Sequence, residues 1–231
     1  MGKSVKPVKP HYLGHKKRLR EKFINNGFDS LTDYEALELI LGMAIVRKDV
    51  KPLAKDLLDR FGSFAATLDA DPDDLKCFEG LGEIAAISLK IVKEGSVKYL
   101  QEKSRVKPVL SSPEALTDYC RAAMGGLRDE EFRVIFLNSR NEIIDDEVLC
   151  RGTVDQAAVY PRKIMERALY RKASSLIFVH NHPSGHPNPS RADIELTRTL
   201  KSAAASLQIR VHDHLIVGKQ GQYSFAREGI L

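Results

Sequence analysis

Residues 176–193 read LIFVHNHPSGHPNPSRAD. The apolar run Leu176-Ile177-Phe178-Val179 predicts a buried strand with His180 at its end. In extended backbone residues i and i+2 face the same side, so His180 and His182 point together and Asn181 points away. Pro183, Gly185, Pro187 and Pro189 stiffen the loop that follows. Ser190 is placed to cap a helix, and Asp193 falls in that helix's first turn. Because the loop folds the chain back, Asp193 can supply a third ligand. Two histidines and one carboxylate, with a fourth position open to water, make a catalytic zinc arrangement. A plainer reading stands beside it. A histidine at a strand end is often just a hydrogen-bonded polar residue, and Ser190 with Asp193 can be merely a helix cap. His186 reads as a surface residue of the loop.

Outward from this segment, strands and helices alternate. Helices are expected at Pro113–Met124, Pro161–Arg171 (with proline in its first turn) and Arg191–Ala205. Strands are expected at Phe132–Leu137, Glu142–Leu149, near Val154, and at Ser174–His180, Ile209–Val217 and Gln222–Phe225. That alternation implies an α/β or α+β domain over residues 113–231. The polar, basic stretch 105–112 ahead of it reads as the domain boundary.

Residues 13–104 read as helical. A basic amphipathic helix is expected from Leu13 to Gly27. A second opens at Thr32 with Glu35 answering as a capping box, and its Leu37, Leu39, Ile40, Leu41 and Met43 are dense enough to be core. Pro52–Phe61 is a third, closed by Gly62. A short helix from Asp71-Pro72, the turn Glu79-Gly80-Leu81-Gly82-Glu83, and a long helix from Ile84 to Leu100 together resemble a helix-hairpin-helix motif. There Gly80 and Gly82 would let backbone amides approach a DNA phosphate. The alternative is a helical hairpin that packs and binds nothing, and Glu79 and Glu83 would repel phosphate.

The net charge of +5 is unevenly placed. Residues 1–22 carry +7, which leaves −2 for the rest of the chain. Lys16, Lys17, Arg18 and Arg20 are the candidate phosphate contacts, since clustered cations gain by releasing counterions; a solvated tail is the competing account. Residues 1–12 read as a disordered basic arm. No apolar run approaches the length of a membrane span, and no secretory signal or membrane partner is indicated, so a cytoplasmic protein is expected. Cys77, Cys120 and Cys150 form no CxxC pair and read as small buried residues rather than as disulfides or thiolate ligands.

The pattern HxHPSGxxxPSxxD in these residues resembles the JAMM (MPN-plus) metalloprotease motif. Gly152-Thr153-Val154-Asp155-Gln156, Val159-Tyr160-Pro161-Arg162, the HNHPSG loop and Asp213-His214-Leu215-Ile216-Val217-Gly218 extend the similarity to the RadC family, from about Gly14 to Leu231. The resemblance implies an α+β protein: an all-α helix-hairpin-helix domain followed by an α/β JAMM domain of cytidine-deaminase-like fold. It implies one zinc ion held by His180, His182 and Asp193, with Ser190 donating to a developing oxyanion. It also implies an upstream glutamate as general base. Glu130 fits the Glu-x-Phe pattern before Phe132 better than Glu131, and a solvated carboxylate is the alternative. The implied reaction is hydrolysis of an amide or isopeptide bond in a protein or peptide, with water activated by zinc and Glu130 moving the proton.

A second HxH, His212-Asp213-His214, lies in an apolar strand, where His212 and His214 are expected to share a face. With no third ligand nearby it reads as structural or as support for the first site. Two rival functions stand beside the peptidase: a DNA-binding accessory protein with a non-catalytic zinc site, and a zinc hydrolase cutting a different bond. Deamination is disfavoured because zinc deaminases draw on cysteine ligands and none is near.

Overall fold

The computed structural model describes residues 14–152 and 159–231. The basic arm 1–12 and the strand expected near Val154 lie outside the described residues. The chain divides into two compact units, Met1–Glu94 and Gly95–Leu231. That division falls inside a helix, not at 105–112 as the composition suggests.

The first unit is helical. The helices are α1 (His15–Asn26), α2 (Asp33–Ala44), α3 (Lys51–Phe61), α4 (Phe64–Asp69), α5 (Pro72–Lys76) and the first turns of α6 (Glu83–Ser104). The local signals act as their chemistry requires. Thr32 and Glu35 form the capping box of α2, and Gly62 ends α3 in the left-handed conformation that suits glycine. α4 carries no strong signal in the sequence beyond Ser63, whose hydroxyl accepts from the Ala66 amide. The core gathers Leu37, Leu41, Leu57, Leu75 and Leu89, all fully buried. Met43, expected in that core, is 69% exposed because it lies on the outer side of α2 near its end. Ile84, Ile87 and Ile91 of α6 are also exposed; Ala85, Ala86 and Leu89 make its packed face.

The second unit is a three-layer α/β/α sandwich. Its other elements are α7 (Pro113–Met124), β1 (Glu131–Leu137), β2 (Ile143–Arg151), α8 (Pro161–Tyr170), β3 (Ser175–Asn181), α9 (Arg191–Ser206), β4 (Arg210–Gly218) and β5 (Gly221–Ser224). The five strands lie in the order β2-β1-β3-β4-β5. Only β3 and β4 are parallel, joined through α9. Phe132, Val134, Phe136, Leu176 and Phe178 face α8 and α9. Ile135, Leu137, Ile177, Val179 and Val217 face α7. Every residue of β3 is buried, which is why this strand reads as a continuous apolar run: both faces of the central sheet are covered. The overall class is α+β.

Val109 is buried among the residues packed on α7, and Val97 and Leu100 lean on the same cluster. The stretch 105–112 is therefore anchored to the second unit at Val109. Among the cysteines, Cys120 is buried and burial pushes its thiol up to about 12. Cys77 is exposed, against expectation. Among the described residues no helix is long and apolar enough to cross a membrane.

Candidate metal centre

β3 carries His180 into the sheet's C-terminal edge, where it is 1% exposed. The strand continues through Asn181, so His182 emerges on the same side. Its amide donates to the Val217 carbonyl of β4 at 2.9 Å, which fixes the backbone beyond the strand's last paired residue. Gly185 has φ +88°, and its amide returns to the His182 carbonyl at 2.9 Å, turning the loop toward α9. At the head of α9, Ser190 and Asp193 form a reciprocal cap: the Asp193 amide donates to Ser190 Oγ, and the Ser190 amide donates to Asp193 Oδ2. The helix cap and the candidate third ligand are thus the same residue, so the two readings do not exclude each other.

His180, His182 and Asp193 form a candidate metal site, with their ligand atoms within 4.8 Å of one another. His180 Nε2 stands 3.0 Å from His182 Nε2 and 3.2 Å from Asp193 Oδ1. His182 Nε2 is 3.5 Å from Asp193 Oδ2. Tetrahedral ligands about 2.1 Å from zinc sit roughly 3.4 Å apart, so the donor set and its spacing fit that ion. The outward nitrogens have partners as well. His182 Nδ1 lies 2.9 Å from the His186 carbonyl; a carbonyl only accepts, so Nδ1 carries the proton and Nε2 its lone pair. His186 is exposed, as expected, but its backbone carbonyl orients the candidate ligand His182.

Burial pushes the Asp193 carboxyl up, but the close approach of His180, His182 and Ser190 outweighs it and holds the group well below the usual carboxylate range. His182 is raised, first by Asp193 and also by the His186 carbonyl and the charge of Glu130, against the opposing effect of burial.

The two candidate glutamates part at β1. Glu131 is 4% exposed and is held by Arg133 at 2.9 Å and Arg151 at 3.1 Å. Arg133 in turn reaches Asp146 at 3.0 Å on the face covered by α7. Glu131 is thus committed to the side of the sheet away from His180, whereas Glu130 is half-buried just outside the strand. Ser190 is exposed, and its hydroxyl donates to Asp193 Oδ2 at 2.7 Å.

The second HxH does not behave as its spacing suggests. Leu176 pairs with Val211 and Ile177 with Asp213, so β4 bulges at His212. A bulge reverses the alternation, and the two histidines do not share a face. His212 Nε2 donates to Asn141 Oδ1 at 2.7 Å. His214 instead lies fully buried, 2.9 Å from His180 Nδ1. Burial and neighbouring His180 push His214 well below the ordinary histidine range. On its other side His214 meets Thr197 of α9 at 2.7 Å, a residue with no signal in the sequence.

In the first unit, Gly80 takes φ +87° in the turn before α6, and the Gly82 carbonyl accepts from Ala85 and Ala86. Lys16 is spent on structure: its ammonium donates to the carbonyls of Ile45, Val46 and Lys48 beyond the end of α2. Lys17, Arg18 and Arg20 are exposed on α1, with Lys17 3.6 Å from Glu21.

Residues 110–230 match the family described as the RadC-like JAB domain. The chain belongs to that family. Residues 11–87 match the UPF0758 N-terminal region. The chain is also similar to a UPF0758 protein of Rhodobacter capsulatus, 49% identical over 92% of this chain and the whole of the relative. Another from Ruegeria pomeroyi is 46% identical over 96% of this chain and likewise the whole of the relative.

Proposed function

We propose that the chain is a zinc-dependent hydrolase of JAMM type that cleaves an amide or isopeptide bond in a protein or peptide. The observation that carries this reading is the convergence of His180 Nε2 and His182 Nε2, 3.0 Å apart, on the Asp193 carboxylate, whose Oδ1 lies 3.2 Å from the first and Oδ2 3.5 Å from the second. Zinc bound there would act as a Lewis acid on a carbonyl and bring the pKa of a coordinated water to about 7. Glu130, half-buried just before β1, would take the proton of the attacking water and return it to the leaving amine. The Ser190 hydroxyl, turned from its bond to Asp193, would donate to the oxyanion. Glu131 is unsuited to the base role because two arginines already hold it.

For the helical unit we propose backbone contact with DNA through the Gly80–Gly82 turn together with Lys17, Arg18 and Arg20. Lys16 is the weakest of the expected contacts, since three carbonyls occupy its ammonium. Salt-dependent fluorescence anisotropy with a short duplex tests this: charge reversal at Arg18 and Arg20 should weaken binding and flatten the salt slope.

The deciding experiment is elemental analysis of the untagged protein, wild type and His182→Ala, followed by a peptide-library hydrolysis screen with Glu130→Gln as the inactive control. Zinc present in the wild type and lost in His182→Ala, with cleavage lost in Glu130→Gln, is the expected result. DNA binding without zinc uptake would favour an accessory protein instead.

A further inference from the structure

We propose that His214 and Thr197 are positioning residues that hold His180 in the tautomer a metal ligand requires. The inference rests on the metal-centre reading and deepens it. The Asp193 carbonyl oxygen can only accept, so Thr197 Oγ, 2.6 Å away, donates its proton there. By itself this is an ordinary bond from a helical threonine to the preceding turn. Its consequence lies at the other lone pair. Thr197 Oγ must then accept from His214 Nδ1 at 2.7 Å. A His214 ring with its proton on Nδ1 presents a bare Nε2, and His180 Nδ1 at 2.9 Å donates to it. His180 is left with its lone pair on Nε2, the atom that faces His182 and Asp193.

The chain of bonds closes on itself. It begins at the backbone of one candidate ligand, Asp193, and ends on the ring of another, His180. β4 and α9 are thereby tied to the ligand on β3. His180, Thr197 and His214 are each 2% exposed or less, so the chain of bonds is shielded from bulk water. The His214 ring is stacked on Phe225 and meets Phe132 and Phe178 edge-on, which fixes its plane. Partners of this kind govern the basicity and direction of the ligand they touch.

The test compares wild type, His214→Leu, His214→Gln and Thr197→Val. Zinc affinity is read by competition with a chromophoric chelator, the cobalt(II) form by its visible spectrum, and the His180 proton by long-range ¹H–¹⁵N correlation. His214→Leu should weaken zinc by about ten- to hundredfold and alter the cobalt spectrum. His214→Gln, whose amide oxygen can accept from His180, should recover most of the loss. Thr197→Val, nearly equal in volume, should shift affinity the same way by less, and it decides the matter if His214→Leu does not fold. The wild-type zinc form should carry the His180 proton on Nδ1. Wild-type zinc affinity in both His214→Leu and Thr197→Val would overturn the inference, as would a glutamine variant no better than leucine. Wild-type protein that takes up no zinc would overturn the metal-centre reading itself.

Discussion

Asn181 straddles Glu130. Its side-chain amide donates to the Asp129 carbonyl at 3.0 Å, and its side-chain oxygen accepts from the Glu131 amide at 2.7 Å. The Gly152 amide adds a third restraint, on the Glu130 carbonyl at 2.9 Å. The residue between the two histidines thus points away from the metal cluster and pins the backbone of the proposed base. Asn181→Ala leaves these backbone groups without their partner, at a cost of about 1–3 kcal/mol. The expected outcome is a lower urea midpoint and weaker hydrolysis with zinc content unchanged. Loss of zinc would show instead that Asn181 supports the ligands rather than Glu130.

Zinc should stabilise the folded chain in proportion to its occupancy. A ligand bound only by the native state at a hundredfold excess over its Kd adds about 2.7 kcal/mol. Thermal melts of chelator-treated protein should therefore rise on adding zinc and fall back with excess EDTA. His182→Ala and Asp193→Ala should melt at the same temperature with or without the metal. A wild-type melting temperature indifferent to zinc would contradict the proposed centre.

Much of this was readable from residue order because the signals are local. The alternation around His180 and His182, the proline-stiffened loop and the cap at Ser190 each act within a few residues, and the structure brings their side chains together. Three features escaped for the opposite reason. The bulge at His212 depends on how β4 pairs with β3, and a period-two reading assumes no bulge. Thr197 matters only because α9 lays it beside His214, a contact 17 residues apart in sequence. The exposure of Met43 depends on which face of α2 finds a partner, and an apolar residue alone does not specify this.

The capping box of α2 gives a pH-dependent prediction. Glu35 accepts from Lys22 Nζ at 2.7 Å and from the Thr32 amide at 3.0 Å. The Lys22 hydrogen bond, then the Thr32 amide, outweigh modest burial and hold the carboxyl below its ordinary 4.5. A folded pKa below the unfolded one means stabilisation that is present above the unfolded value and lost as pH falls through the folded one. Glu35→Gln should therefore cost about 1 kcal/mol at neutral pH, with the gap closing in acid. Urea denaturation of both proteins across that range measures it; a gap that persists in acid would assign the effect to shape rather than charge.

Gly218, at the end of β4, is where the sheet meets the metal-site loop. A Cβ there would lie 2.4 Å from the Gly185 carbonyl oxygen and 2.8 Å from its carbon. Both are backbone atoms, so no side-chain rotation relieves the clash. Gly185 cannot yield freely either. Its amide is bonded to the His182 carbonyl at 2.9 Å, and its own carbonyl accepts from Gln220 at 3.1 Å. Displacing Gly185 therefore pulls on His182, and the strain reaches a ligand that Gly218 never touches. Gly218→Ala should lower stability by about 1–3 kcal/mol and weaken zinc binding by about tenfold, read by urea unfolding and chelator competition. If stability falls while zinc affinity holds, the loop absorbs the clash before it reaches His182, and Gly218 serves packing alone.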